Sequence, residues 1–355
     1  MGIGVFLRTC AAAALITAAI FLLCSSATGE EVSPKDKIYA ALLAAESEIN
    51  VSELGLGKSE LTDLMRQILL DSPELFYVSG KFSFSHTADG KILTLKPTYT
   101  ASGDELDAQR KFYTDTITEL LEGLREAASE AERALYIHDT LAEKFDYDVD
   151  YKNYDVHSLF VDGRGVCQAY SLAFIALSRK AGIEARTVTS EEMDHAWNIV
   201  RVDGKWYHID VTRDDPISES APSKTVMHQV FLRSDDAMAT LGYHGYESPF
   251  ACSDSRFEPE GHGILDGIEE AVTFSPHGCF IISNDGARYR IELSDAPTLV
   301  PLPDGDVDGN GVADARDLLL VHGSADFEEV RDIILAEMMK KVYMDEILRI
   351  RESRE

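Results

Sequence analysis

Basic residues are in short supply: 33 Lys and Arg face 62 Asp and Glu, a formal charge of −29 over 355 residues. A surface of that sign repels phosphate backbones and anionic lipid, which excludes nucleic acid and a membrane surface as natural partners and suits solubility and divalent cations. A long apolar run is also missing. The stretch from Cys10 to Cys24 is about 15 residues, short of the ~20 needed to span a bilayer. Cysteine is limited to five residues, and no internal repeat is found. What is present is an ordinary globular mixture, 45% hydrophobic and 27% charged. That is too apolar for a disordered chain and long enough for one sizeable core with one or two small appendages.

Arg8 precedes the apolar stretch and Ser25-Ser26-Ala27 follow it with the small residues that export cleavage prefers. Residues 1–27 therefore read as a signal peptide cleaved after Ala27, making the protein secreted or associated with the cell surface. An uncleaved anchor is the alternative. Leu23 is bulky where a lipoprotein signal has a small residue. Cleavage leaves Cys167, Cys252 and Cys279. An odd count implies a free thiol, with Cys252 and Cys279 able to close a disulfide while Cys167 stays reduced, or all three unpaired.

Hydrophobic periodicity predicts helices over 37–48 and 59–70, then strands over 75–85 and 91–100 flanking the turn Ala88-Asp89-Gly90. Long helices follow over 104–127, with Leu120, Leu121 and Leu124 on an inward stripe, and over 130–145. Residues 146–164 read as a loop rich in Tyr and Asp, ending in Gly163-Arg164-Gly165 before an apolar helix over 166–180 that stops at Gly182. Strands over 195–202 and 205–212 are joined by Asp203-Gly204, a dipeptide suited to a two-residue hairpin. Further on, 226–233 reads as a strand, 272–283 with 288–293 as a hairpin, and 297–303 as a Pro-rich link. The resulting division is 34–155, a helical and hairpin extension; 156–250, a core domain; 251–300, a small β extension; and 304–355, a tail module. The fold class is α+β, a helix bearing Cys167 packed on an antiparallel sheet.

A cysteine in the first turn of a helix sits among unpaired N–H groups and the positive end of the helix dipole, both of which stabilise a thiolate. Cys167 meets that description. Taken alone it reads more readily as a buried structural cysteine. The hairpin changes the weighting. A two-residue loop at 203 and 204 sets residue 195 opposite 212 and 197 opposite 210, so His195 and Asp210 are diagonal neighbours on one face. Asp210 would orient the imidazole of His195 and leave its other nitrogen for the Cys167 thiol. His208 lies on the same face, further from position 195. His138 and Asp139 form a tempting second pair, but on a helix beside apolar neighbours such residues more often buttress a core loop.

The runs Gly163-Arg164-Gly165-Val166-Cys167-Gln168-Ala169-Tyr170, Asp194-His195-Ala196-Trp197-Asn198 and Lys205-Trp206-Tyr207-His208-Ile209-Asp210-Val211-Thr212 resemble bacterial transglutaminase-like domains of the papain-like superfamily. The likeness extends loosely over residues 35–250. Ala169 stands where such domains usually carry glycine, and Arg213 where they carry tryptophan. The resemblance implies cysteine-dependent acyl chemistry on protein or peptide amides through a thioester, with Cys167, His195 and Asp210 as the triad and no cofactor for catalysis. Resolution by water gives a hydrolase or peptidase; resolution by an amine gives an acyltransferase. From a different class, an inactive transglutaminase-like domain could serve as a binding or assembly protein.

In the tail, Asp306, Asp308, Asn310, the Val312 carbonyl, Asp314 and Asp317 fall at positions 1, 3, 5, 7, 9 and 12 of an EF-hand-like calcium loop, with Gly311 at position 6. Aspartate at position 12 followed by Leu318, Leu319 and Leu320 resembles one half of a dockerin, implying structural Ca2+ and a cohesin-like scaffold partner. A second loop is absent; an amphipathic helix over 326–351 is expected instead.

Overall fold

The computed structural model describes residues 33–216, 225–275, 278–282, 287–294, 297–307, 309–313, 317, 320, 328 and 330–336. The expected signal segment, most of the last helix, and Asp308 and Asp314 of the acidic loop lie outside the described residues. The chain divides into two compact units, one of residues 1–122, 144–200 and 243–249, the other of 123–143, 201–242 and 250–355.

The first unit begins with α1 (Pro34–Leu43), started by Ser33, whose hydroxyl accepts the Asp36 N–H. It ends five residues before the expected boundary because Ala45 turns to φ 55°, a left-handed backbone that no helix continues. After β1 (Ile49–Asn50) comes α2 (Lys58–Asp71), and then the hairpin of β2 (Val78–His86) and β3 (Ile92–Tyr99). Leu75 lies outside that hairpin, in a 3-10 turn over Pro73–Leu75. These strands form an antiparallel sheet of order β1-β3-β2. One apolar core unites them, with Ile38, Leu42, Leu61, Ile68, Tyr77 and Leu95 wholly buried. α3 (Gly103–Leu120) stops seven residues earlier than its apolar pattern suggests: Leu120 is buried, while Leu121 is already the C-cap and only half-buried, like Leu124.

The expected loop over 146–164 holds real elements: β4 (Asp146–Tyr147), α5 (Val156–Asp162) and β5 (Arg164–Gly165), with β4 and β5 paired in parallel. Asp155 caps α5 through the Ser158 N–H at 2.9 Å. α6 (Cys167–Ala181) is closed by Gly182 at φ 78°. Next comes a strand the sequence pattern did not suggest, β6 (Ala185–Ser190), antiparallel to β7 (His195–Val202) in register Ala185↔Val200 to Ser190↔His195.

The units divide within β7, between Val200 and Arg201. In the second unit α4 (Glu130–Lys144, its last residue excepted) packs wholly buried Leu135, Ile137 and Leu141. The Asp203-Gly204 turn, with φ 47° and 77°, has the two positive values that a type I′ hairpin requires. It leads into β8 (Lys205–Ile209), third strand in the order β6-β7-β8. β8 ends three residues early, where the Asp210 carboxylate takes the Thr212 hydroxyl at 2.7 Å and the Arg213 N–H at 3.2 Å and turns the chain.

Residues 226–233 are not a strand. Their backbone bonds go elsewhere: the Val230 N–H donates to the Asp214 carboxylate at 2.9 Å, and Arg233 makes an isolated bridge to His208. α7 (Asp235–Thr240) follows. The expected C-terminal hairpin proves to be a four-stranded antiparallel sheet of order β12-β11-β10-β9, built from β9 (Thr273–Ser275), β10 (Gly278–Ile282), β11 (Arg288–Glu292) and β12 (Thr298–Pro301). The Pro-rich link is thus an edge strand, where prolines do least harm to a ladder.

Candidate active site

Cys167 is the first residue of α6 and half-buried. Its N-cap, Val166, is extended and offers no side-chain cap. The first-turn N–H groups of such a helix have no intrahelical acceptor, and the positive end of the dipole lies at the thiol. The approach is fixed from outside: Asp146 N–H donates to Gly163 O, Asp148 N–H to Gly165 O and Val166 N–H to Asn153 O, all at 2.9–3.0 Å. Gly163 needs its freedom, at φ 71°. Gly165 needs space instead, since a Cβ there would meet the Ala169 methyl at 2.8 Å and Leu159 Cδ1 at 2.9 Å. The methyl that distinguishes Ala169 therefore packs against the glycine that precedes the nucleophile by two residues.

The segment that grips this approach is itself ordered by one carboxylate. Buried Asp148 accepts the N–H groups of Lys152 (2.8 Å), Asn153 (2.9 Å) and Asp150 (3.1 Å), and these bonds hold its carboxyl below the usual range. Around it stand Tyr147, half-buried, and the exposed Tyr151 and Tyr154. Burial first, and then the negative charges of Cys167, Tyr151, Tyr154 and Asp194, push the Tyr147 phenol up to about 12. Tyr147 thus stays a neutral phenol within electrostatic range of both Cys167 and the residue before His195.

His195 opens β7, half-buried, its ring nearly parallel to Trp197 at 5.8 Å and 6.3 Å from Tyr243. Asp194 enters the strand at φ 47°, a conformation Asp tolerates better than most residues. Trp197 is buried between Tyr243 (5.1 Å) and Tyr246 (5.0 Å), both edge-on. Their segment is tied down by the Ser190↔Tyr246 bridge and by Ser190 Oγ donating to His244 O at 2.8 Å. Neither tyrosine carries a local sequence signal. Asn198 does, since it stands in the His195 run, but its part shows only in space: its buried amide donates to Ser171 O at 3.1 Å, while Ser171 Oγ donates to Cys167 O at 2.9 Å. The strand that begins with His195 and the helix that begins with Cys167 are joined through this amide.

Cys167 and His195 belong to the first unit; Asp210 belongs to the second. Asp210 is 1% exposed, its backbone N–H bonded to Val230 O at 3.0 Å. Close to it in sequence, His208 is buried and bonded through Nε2 to Asp235 Oδ1 at 3.0 Å. Burial depresses the basicity of His208, against the hydrogen bond and charge of Asp235.

His138 and Asp139 lie in a sealed polar cluster of the second unit. Asp139 Oδ1 faces His138 Nδ1 at 2.7 Å and His228 Nε2 at 3.0 Å, and its Oδ2 takes the Val272 N–H at 2.7 Å. His138 Nε2 reaches Asp214 at 3.2 Å, and His228 Nδ1 reaches Ile268 O at 3.2 Å. Burial alone would push the His138 imidazolium down, but the bonds and charges of Asp139 and Asp214 outweigh it and raise it to about 9. Burial would likewise raise Asp139, yet the charge of His228 and the two imidazole bonds hold it well below the carboxylate range. His228 and Asp214 were not foreseen as partners of this pair. A cavity of 210 Å3 beside His228 is lined by residues 227–229 and 266–269, and none of the three triad candidates lines it.

Cys252 is a free, wholly buried thiol, pushed up by burial and then by the charge of Asp235. The disulfide with Cys279 is therefore not formed. In the acidic loop, buried Asp306 accepts the Gly309 N–H at 2.7 Å and the Gly311 N–H at 2.8 Å, and buried Asp317 accepts the Val307 N–H at 2.7 Å. Asn310 Oδ1 accepts the Val312 N–H at 2.8 Å, and Gly311 turns at φ 92°. Oxygen donors on a loop folded in this way suit a hard cation such as Ca2+.

Residues 118–211 match the family model of the Transglutaminase-like superfamily, which supports a transglutaminase-like domain there. Among curated proteins the chain is 26% identical over 168 residues to the Kyphoscoliosis peptidase of Mus musculus, covering 41% of this chain and 25% of that protein. The chain thus spans about a quarter of that relative's length. Among solved structures, a TGase aligns at 14% identity over 65% of this chain and 62% of that one, with a TM-score of 0.29. A protein of Cytophaga hutchinsonii assigned as a cysteine protease aligns at 16% identity over 38% and 62%, with a TM-score of 0.25.

Proposed function

From the transglutaminase-like match over residues 118–211, we propose that the protein performs cysteine-dependent acyl chemistry on protein or peptide amides, with Cys167 as nucleophile, His195 as base and Asp210 as orienter. The observation that carries this reading is the half-buried thiol on the first residue of α6, whose helix is tied by Asn198 to the strand that His195 opens. His195 removes the thiol proton, the sulfur adds to the amide carbonyl carbon, and the carbon–nitrogen bond breaks as the imidazolium protonates the departing amine. Water or an amine then attacks the thioester, giving up a proton to His195, and the carbon–sulfur bond breaks with return of the proton to sulfur. The N–H of Cys167, at the start of α6, donates to the developing oxyanion. Export belongs to the same reading, supported by Arg8, the apolar stretch and Ser25-Ser26-Ala27. So does structural Ca2+ held by Asp306, Asp308, Asn310, the Val312 carbonyl, Asp314 and Asp317, with a cohesin-like scaffold as partner of that loop; the backbone-bonded carboxylates of Asp306 and Asp317 support the cation.

The test is the rate of iodoacetamide labelling of Cys167 against pH, in the natural chain and in His195→Ala. Labelling that persists at mildly acidic pH, and is lost in the variant, is the expected result and warrants screening amide substrates. An ordinary thiol profile that the variant leaves unchanged overturns the catalytic reading in favour of a binding protein.

A further inference from the structure

A second meeting of histidine, carboxylate and thiol lies wholly within the second unit, outside the chemistry proposed above. His208 on β8, Asp235 at the start of α7, and Cys252 in the segment beyond bring one ligand atom each to within 4.8 Å of one another. His208 and Cys252 are wholly buried, and the Asp235 side chain is 40% exposed. Backbone bonds help fix all three positions: His208 and Arg233 exchange N–H···O bonds at 2.8 and 2.9 Å, and the Asp235 N–H donates to Cys252 O at 2.7 Å. Asp235 already spans the other two, with Oδ1 on His208 Nε2 at 3.0 Å and Oδ2 taking the Cys252 N–H at 2.8 Å. Among the described residues, the Cys252 sulfur, by contrast, has a 3.9 Å contact to Phe250 O as its hydrogen-bond contact.

The other cluster of this type, His138, Asp139 and His228, is chemically closed. All four of its ring nitrogens face acceptors, and both Asp139 oxygens are engaged. A cation entering there would break a complete set of hydrogen bonds in a place sealed from water. At His208 a cation would gain a thiolate, an imidazole nitrogen and a carboxylate oxygen on a rigid frame, with one side open to solvent through Asp235.

We propose that His208, Asp235 and Cys252 form a zinc site with three protein ligands and a water in the fourth position. Mixed sulfur, nitrogen and oxygen donors select Zn2+ over the hard cations that suit the oxygen-only loop at 306–317. On binding, the Cys252 thiol loses its proton to solvent, and the neutral His208 ring, which donates its Nε2 proton to Asp235 in the metal-free protein, changes tautomer: Nε2 releases its proton and ligates the metal while Nδ1 takes one up. The ion joins β8, α7 and the segment around Cys252 into one clamp. Because Cys252, Asp235 and His208 take no part in the acyl chemistry, the zinc site stands or falls separately from it.

The experiment uses Co2+ as probe on the full chain, metal-stripped, in saturating Ca2+ and on a Cys167→Ala background that removes the thiol of the candidate active site. One equivalent of Co2+ should produce a sulfur-to-cobalt charge-transfer band with the visible bands of a tetrahedral ion, both erased by Zn2+. Cys252→Ser should abolish the charge-transfer band, and His208→Gln should weaken Co2+ binding by more than ~10-fold. If Cys252→Ser does not fold, Asp235→Asn on the half-exposed side serves instead, weakening Co2+ while keeping the charge-transfer band. No sulfur band in the parent, or a band that survives Cys252→Ser, overturns the site.

Discussion

The apolar core under the β2–β3 hairpin and the polar cluster around Asp139 are buried equally well by opposite means. In the first, Ile38, Leu42, Leu61 and Leu95 have no exposed surface and carry no charge to satisfy. In the second, His138, Asp139, His228 and Asp214 are at most 2% exposed and owe their tolerance of burial to a chain of hydrogen bonds. The first should respond to lost volume and ignore pH. The second should tolerate no missing partner and should respond to protons.

Removing the hub tests this most severely. Asp139→Ala strands two imidazoles and the Val272 N–H, and should cost about 3–5 kcal/mol in denaturant unfolding. A loss under ~1 kcal/mol would mean the cluster is ornamental. Leu42→Ala should cost about 3 kcal/mol through the lost transfer energy and the cavity left behind, and its penalty should be the same at pH 6 and pH 9.

Alkaline titration comes next. His138 is raised from its ordinary 6.5 to about 9, so its contribution is complete below 6.5 and is lost as pH climbs through 9. Thermal unfolding should show a fall of up to about 3 kcal/mol across that window, absent in His138→Gln, whose stability should already be low and flat. The smallest effect belongs to a helix start: Asp155→Ala removes the cap of α5 and should cost about 1 kcal/mol, visible first as faster hydrogen exchange at Ser158.

How legible these features were depended on whether the determinant was local. α6 could be read from an apolar run bounded by Gly165 and Gly182, and the β7–β8 turn from Asp203-Gly204, because glycine and the turn dipeptide act on their own backbone. β6 escaped notice since Arg186, Thr187, Thr189 and Ser190 dilute its alternation, and its pairing partner, not its composition, makes it a strand. Residues 226–233 misled in the other direction. Val226, Val230 and Leu232 alternate as a strand would, but the acceptor for the Val230 N–H is the side chain of Asp214, sixteen residues earlier. At the candidate site the three residue types and their order were readable. The cage of Tyr243 and Tyr246 around Trp197 and the amide link from Asn198 to Ser171 were not, since both depend on residues that meet only in the folded chain.

The division of the chain carries a consequence for time. Successive residues pass from one unit to the other at 122/123, 143/144, 200/201, 242/243 and 249/250. A chain emerging from the ribosome in that order cannot finish the first unit when β7 appears, because the Trp197 cage and the acceptor for Ser190 Oγ arrive some fifty residues later, at 243–246. The first unit is therefore completed late, while the second is still being made, and a fragment ending near Val202 would leave the aromatic face beside His195 open to water.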